Sequence, residues 1–379
     1  MLRLYGPLLA ANGVLTEGEV ILEGGQIAAI HPGPPQATPA LTIDGILLPG
    51  FIDLQINGAY GHDFMGEPES VIEVAARLPA TGVTGFLPTI VAAPLDQYPA
   101  WLERITAASQ KARGAKVLGL HLEGPFLNEA RKATNRPELL RQPNVDELRR
   151  MLNGFVRLMT LAPELPGALE LVAELRRNGV VASAGHSDAT YEQAMAGFAA
   201  GINYGTHLFN AMRGIHHREP GLVGALLASQ VPVGLIVDGI HAHPEMVRLA
   251  YRLKGVNGIT LVTDTIAALG MAPGTYQLGT QRVTTDGVSA RLADGVTLAG
   301  AVLSMDAAIR NMRAITGCSL AEAAAMASTT PARVLGLLRK GQIAPGFDAD
   351  LTVMDEQGQI TLTIVGGEIV YRRAEATPE

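Results

Sequence analysis

Cysteine is almost absent: Cys318 is the only one in 379 residues, so no disulfide can close within the chain and a thiolate-based metal site would lack its ligands. Any metal must therefore rest on histidine and carboxylate. Basic residues are in deficit, with 29 Lys and Arg against 36 Asp and Glu and a formal net charge of -7. Nucleic acid binding needs clustered Lys and Arg to neutralise phosphates, so no nucleic-acid partner is expected. No stretch approaches the ~18 uninterrupted apolar residues of a membrane span. The opening Met1-Leu-Arg-Leu-Tyr-Gly-Pro7 carries neither a long apolar region nor a small-residue cleavage site. The expectation is a soluble, cytoplasmic protein with no membrane partner.

Hydrophobic residues make up 47% of the chain, and the 17% that are charged are spread along it rather than blocked, which is the composition of an ordered globular protein. The length allows one large barrel of ~250 residues with additions, or two to three smaller units. The first 45 residues read as short strands broken by the turn signals Ala10-Ala-Asn-Gly13, Glu23-Gly-Gly25 and His31-Pro-Gly-Pro-Pro35. The end of the chain behaves alike, with Gly341-Gln-Ile-Ala-Pro-Gly-Phe-Asp-Ala-Asp350 followed by strand-like runs at 351–354 and 364–371. Both termini are thus expected to build one small β-sandwich domain, 1–48 plus 338–379. Between them, apolar runs at 46–56, 82–89, 116–123, 156–162, 179–186, 202–207, 231–238 and 258–264 alternate with stretches of helical character, among them 70–79, 94–113, 166–178, 191–200 and 243–254. Eight βα units predict an α/β fold, a TIM-type (β/α)8 barrel catalytic domain over 49–337.

Glu123, His186, His207, Asp238 and Asp264 each close one of these runs at its C-terminal end, the face on which such barrels place their chemistry. A charge at the end of a buried strand has to be paired, hydrogen-bonded or bound to metal. His186 in Ser183-Ala-Gly-His-Ser-Asp188 and His207 in Tyr204-Gly-Thr-His-Leu-Phe-Asn210 end consecutive strands. With Glu123 from Leu120-His-Leu-Glu-Gly-Pro125 they offer two imidazoles and a carboxylate and leave room for water, the donor set of a catalytic zinc site. Any one of these histidines alone reads as an ordinary hydrogen-bonded core residue. Asp264, in Leu261-Val-Thr-Asp-Thr265, is placed to take a proton from water and return it to a leaving amine, or else caps the next segment.

Leu48-Pro-Gly-Phe-Ile-Asp53 entering the barrel and Pro345-Gly-Phe-Asp-Ala-Asp350 leaving it resemble the amidohydrolase superfamily. Within it, Gly119-Leu-His-Leu-Glu-Gly-Pro-Phe-Leu-Asn128, Gly185-His-Ser-Asp188, Thr206-His-Leu-Phe-Asn-Ala-Met212, Arg218-Glu-Pro-Gly221, Val237-Asp-Gly-Ile-His241 and Leu298-Ala-Gly300 are similar to the N-acetylglucosamine-6-phosphate deacetylases, in order over nearly the whole chain. The resemblance implies hydrolysis of an N-acetyl amino sugar phosphate, a small-molecule substrate, by a homodimer. It implies one divalent metal per subunit, Zn2+ first with Fe2+, Mn2+ or Co2+ as alternatives, on Glu123, His186 and His207. It makes Asp264 the proton-transfer residue and His241 a contact to the acetamide carbonyl or a sugar hydroxyl. Thr134, Asn135, Asn210, Ala211, Arg218, Asp238, Leu298, Ala299 and Gly300 would bind the sugar phosphate. Arg218 is the natural phosphate ligand, because its guanidinium fork holds two oxygens at once.

Two positions depart from the wider pattern. Many amidohydrolases carry His-x-His after the first strand to hold a second metal, whereas this chain has Gln55-Ile-Asn57; amides are poor ligands for a zinc-type ion, so a single metal is expected. In Ala133-Thr-Asn-Arg136, Asn135 stands where a substrate-contacting histidine is common. That keeps open a related N-acyl amino sugar or N-acyl amino acid as substrate. A catalytically inactive barrel serving as a binding scaffold is the reading from another class, and four ionisable groups at strand ends argue against it. Of the remaining histidines, His243 reads as an exposed helix-start residue, His216 and His217 precede Arg218 in a loop, and His121 alternates with Glu123, on its side of the strand or packed beneath it.

Overall fold

The computed structural model of the chain describes residues 1–11, 13–35 and 40–374. Parts of the expected terminal unit, at 12, 36–39 and 375–379, lie outside the described residues.

The eight apolar runs become eight parallel barrel strands: Phe51–Ile56, Val83–Val91, Leu120–Glu123, Val156–Leu161, Val181–Ala184, Tyr204–Gly205, Val233–Leu235 and Ile259–Leu261, each paired with the next in chain order. Strands covered on both faces need apolar side chains on both, which is why each reads as a continuous run rather than an alternating one. The ring closes between its last and first members. Asp264 N donates to Gln55 O at 2.9 Å and Asn57 N to Thr265 O at 2.8 Å, and Thr263 Oγ1 donates to the buried Asp53 carboxylate at 2.6 Å.

The covering helices follow the predicted periodicity with local adjustments. Tyr191–Ala200 starts at a capping box between Thr190 and Gln193. Ala168–Arg177 turns Leu171, Val172 and Leu175 to the core. Pro244–Gly258 runs a turn beyond the predicted end and breaks its dihedrals at Gly255.

Three features differ from the sequence-based expectation. The 46–56 run serves two sheets: Ile46–Pro49 pairs antiparallel with Leu351–Met354, and Phe51–Ile56 enters the barrel. Gly50 makes the change of sheet possible, since a Cβ there would lie 2.3 Å from the Thr84 side chain. The 202–207 run keeps regular pairing only at Tyr204–Gly205, because the chain then turns through positive φ at His207, Phe209 and Ala211. The third is an unpredicted antiparallel sheet after the eighth strand: Gly274–Leu278, Gln281–Thr285, Ser289–Arg291 and Leu298–Ala301, built around Leu278, Val283, Ala290 and Ala299.

Both chain ends meet in one eight-stranded sheet, in the order Glu368–Arg372, Ile360–Val365, Leu351–Met354, Ile46–Pro49, Leu2–Leu9, Leu15–Glu23, Gln26–Pro32, with Leu41–Thr42 also paired to Leu2–Leu9. Its core of Leu4, Leu8, Val20, Leu22, Leu47, Leu351, Val353 and Ile364 is separate from that of the barrel. Among the described residues no helix is long and apolar enough to cross a membrane.

Candidate active site

The C-terminal ends of the third, fifth and sixth barrel strands bring Glu123, His186 and His207 together. Glu123 Oε1 lies 3.1 Å from His186 Nε2 and 2.9 Å from His207 Nε2, and the two Nε2 atoms are 3.1 Å apart. All three side chains are buried. His186 Nδ1 lies 3.0 Å from the carbonyl oxygen of Arg131, which can only accept, so Nδ1 carries a proton and Nε2 faces Glu123 and His207. Two imidazole nitrogens and a carboxylate oxygen meeting at such distances call for positive charge between them. Two imidazole nitrogens and a carboxylate oxygen are the donors a zinc-type divalent cation takes, so the residues present fit such an ion.

The ionisable groups His186, His207 and Asp264 hold left-handed backbone that only glycine adopts freely, at φ 48°, 29° and 50°. Such conformations cost about 1–3 kcal/mol each and persist where surrounding structure enforces them. Here they turn each side chain off its strand end and over the barrel mouth.

Asp264 faces the same space. Burial, followed by the negative charge of Glu123, pushes its carboxyl up to about 6, while Asn57 Nδ2 donates to its Oδ1 at 2.7 Å. Gln55 Nε2 donates to Glu123 Oε1 at 3.1 Å. The two amides of Gln55-Ile-Asn57 thus hydrogen-bond the carboxylates on either side. His241 Nδ1 donates to Asp238 Oδ2 at 2.6 Å, and Asp238 Oδ1 accepts the backbone N–H groups of Ile240 and His241 at 2.9 and 2.8 Å. Burial works against ionisation of Asp238, but the bonds from His241 outweigh it and hold the carboxyl below its ordinary range.

Asn57, Glu123, His186, His207, His241 and Asp264 line a cavity of about 310 Å³. Of the residues expected to bind a sugar, Thr134, Asn135, Asn210, Ala211, His241, Leu298 and Gly300 line it. Asn135 is partly committed elsewhere: its Oδ1 accepts Ala92 N at 3.1 Å and its Nδ2 donates to Lys132 O at 3.1 Å, which leaves one N–H for a ligand. Asp238 stands behind His241 rather than in the lining, and Ala299 is buried in the core of the added sheet. Arg218 is not brought to the cavity of its own chain. It lies exposed on the loop with His216 and His217, its guanidinium 2.7 Å from His217 Nε2. His243 caps the helix Pro244–Gly258 as expected, accepting Glu245 N. His121 is packed inside the barrel between Thr89 and Thr160, at 3.3 and 2.8 Å, and burial lowers it to about 4, so it stays neutral.

Sequence reasoning missed the hold of Asn57 on Asp264 and the cavity wall formed by Val91, Leu278, Val296 and Thr297. The first was readable as alternation, since residues 55 and 57 point to one side of a strand. The second was announced by Asp286-Gly287 and Asp294-Gly295, hairpin signals that define the added sheet.

The sequence pattern of the amidohydrolase family matches residues 46–370. The N-acetylglucosamine-6-phosphate deacetylase of Bos taurus is 41% identical over 349 residues, covering 88% of this chain and 85% of that protein. The N-acetylgalactosamine-6-phosphate deacetylase of Escherichia coli O157:H7 is 38% identical over 369 residues, covering 96% and 97%. Among solved structures, a mutant N-acetyl-D-glucosamine-6-phosphate deacetylase from Mycobacterium smegmatis in complex with N-acetyl-D-glucosamine-6-phosphate matches at TM-score 0.92 and 34% identity, over 97% of this chain and 99% of that one.

Proposed function

The chain belongs to the amidohydrolase family, and on that premise we propose that it hydrolyses the N-acetyl group of N-acetyl-D-glucosamine 6-phosphate to glucosamine 6-phosphate and acetate. The observation that carries this is the meeting of Glu123, His186 and His207 with the buried Asp264 in one cavity.

A divalent cation, which Glu123, His186 and His207 would hold, supplies Lewis acidity toward water and the amide carbonyl when bound. Zn2+ suits these donors, and Fe2+, Mn2+ and Co2+ accept the same set. Asp264 is the general base and then the general acid. Asn57 anchors Oδ1, leaving Oδ2 to take a proton from the attacking water and return it to the departing nitrogen. Asp238 accepts from His241 Nδ1 and so fixes the ring beside the oxygen that gains charge as the carbonyl is attacked. The free N–H of Asn135 and the side chain of Asn210 are the sugar-binding donors we assign.

Among the described residues no arginine lines the cavity, and we assign Arg218 to the cavity of a second copy in a homodimer. A cytoplasmic enzyme with a terminal domain at 1–48 plus 338–379 and a barrel at 49–337 completes the proposal.

The relative that acts on N-acetylgalactosamine 6-phosphate favours a second reading, the C4 epimer as substrate. Comparing kcat/KM for both phosphorylated sugars and unphosphorylated N-acetylglucosamine tests both. One charged hydrogen-bond set is worth about 1.5–3 kcal/mol, so losing the phosphate should cost about 10- to 100-fold. Equal turnover of the unphosphorylated sugar would remove the phosphate assignment, and preference for the epimer would replace the first reading by the second.

A further inference from the structure

We propose that Asp188 is a positioning residue for the His186 ring, acting through Arg131, and that it thereby sets how tightly the site holds a divalent cation. The inference rests on reading Glu123, His186 and His207 as ligands.

Asp188 lies two residues after His186, at the centre of a cluster the catalytic reading does not use. Its Oδ1 accepts from Arg131 Nε and Nη2, both at 2.8 Å, and its Oδ2 from Arg213 Nη2 at 2.6 Å. Its backbone N–H donates to Glu164 Oε1 at 2.6 Å, and Glu164 also takes Ser187 Oγ at 2.7 Å and Asn128 Nδ2 at 2.9 Å. Four successive barrel strands therefore send one charged group each to this point: Arg131 follows the third, Glu164 the fourth, Asp188 the fifth and Arg213 the sixth.

The circuit closes on the ligand ring. The carbonyl of Arg131 is the partner of His186 Nδ1 at 3.0 Å, while the guanidinium of the same residue is held by Asp188. One side chain thus fixes where that carbonyl points. The carbonyl in turn keeps the proton on Nδ1 and leaves Nε2 for a cation, the usual task of a group behind a metal-binding imidazole. Backbone bonds reinforce the link, with Asn128 N donating to His186 O at 2.9 Å and Arg213 N to Ser187 O at 3.0 Å. Arg213 ties in the segment that carries His207.

Fold stability is a poor explanation for the cluster. The side chains of Asp188, Arg131 and Arg213 are 25%, 38% and 31% exposed, and ion pairs that accessible contribute little to folding. What they do fix is the loop geometry around His186, whose left-handed backbone at φ 48° has to be held from outside.

The test uses the full chain as wild type, His186→Ala, Asp188→Ala and Asp188→Glu. Zn2+ affinity is measured by competition with a chromogenic chelator, alongside the visible spectrum of the Co2+-loaded protein and the melting temperature of the metal-free protein. Asp188→Ala should weaken Zn2+ binding about 10- to 100-fold, the size of effect seen when partners of metal ligands are removed. Its Co2+ spectrum should shift and its metal-free melting temperature should stay near wild type, with Asp188→Glu recovering part of the affinity. Wild-type affinity and an unchanged Co2+ spectrum in Asp188→Ala would overturn the inference, as would a loss of affinity matched by unfolding of the metal-free protein. Failure of the ligand assignment looks different: His186→Ala would then bind Zn2+ as wild type does.

Discussion

Glu123 meets two imidazole nitrogens at the barrel mouth, whereas Asp264, in the same cavity, meets the amide of Asn57. Both carboxylates are buried, and burial alone would raise both. At Glu123 the bonds and charge of His186 and His207 outweigh burial and hold the carboxyl well below its ordinary range. At Asp264 the charges of His207 and His241 and the bond from Asn57 do not outweigh burial and the charge of Glu123, and the carboxyl rises to about 6. On the proposed reaction, two carboxylates pushed apart in this way divide the work, Glu123 as an anion beside a cation and Asp264 as a group that gains and loses a proton near neutral pH. The difference lies in what each neighbour offers: the two imidazoles give Glu123 both hydrogen bonds and positive charge, whereas the neighbour bonded to Asp264 is an uncharged amide.

Breaking the first side should have the largest effect. His207→Ala removes one of three donors, and the expected outcome is loss of bound metal together with loss of turnover, because the remaining pair cannot complete the site. Metal content after dialysis and acetate release read the two losses separately. A variant that keeps a full equivalent of metal would show that the corner formed by Glu123 is not where the ion sits.

Asp264→Asn breaks the second side and should sharpen the contrast. The amide keeps the shape and its place beside Asn57 but cannot accept the proton, so kcat should fall about 10²- to 10⁴-fold. Metal content should match wild type, since the loss belongs to proton transfer alone. Near-normal kcat would take Asp264 out of the reaction.

Why the first side was legible in the sequence and the second only in part follows from the same contrast. Glu123, His186 and His207 announce themselves because ionisable groups at the ends of apolar runs have few innocent explanations. The barrel was legible for a related reason, since strands buried on both faces leave unbroken apolar stretches. Gln55 and Asn57 were read for what they are unable to bind, and the bonds they donate emerge only when the first and eighth strands are brought side by side. Arg218 shows the limit from the other direction. Its guanidinium chemistry predicts a phosphate ligand, but a residue type does not fix position, and in its own chain it stands outside the cavity. The added sheet escaped notice because its strands are three to five residues long and only partly buried, too short for a periodic signal to build up.

The smallest expected effect tests whether the amide of Asn57 tunes Asp264 or only fills space. Its N–H bonds the ionised form of the carboxyl, so it lowers the pKa that burial has raised. Asn57→Leu removes that bond at similar volume, and the pKa of Asp264 should climb further. A general base must be ionised in the free enzyme, so the acidic limb of the kcat/KM profile should move to higher pH, with activity recovering on the alkaline side. One hydrogen bond of this kind is worth about 0.5–1.5 kcal/mol, which corresponds to a loss of roughly 2- to 12-fold on the acidic limb. Should the limb stay where it is while kcat falls equally at every pH, Asn57 would be holding the orientation of the carboxylate and not its proton affinity. The two sides of the mouth would then differ in geometry alone.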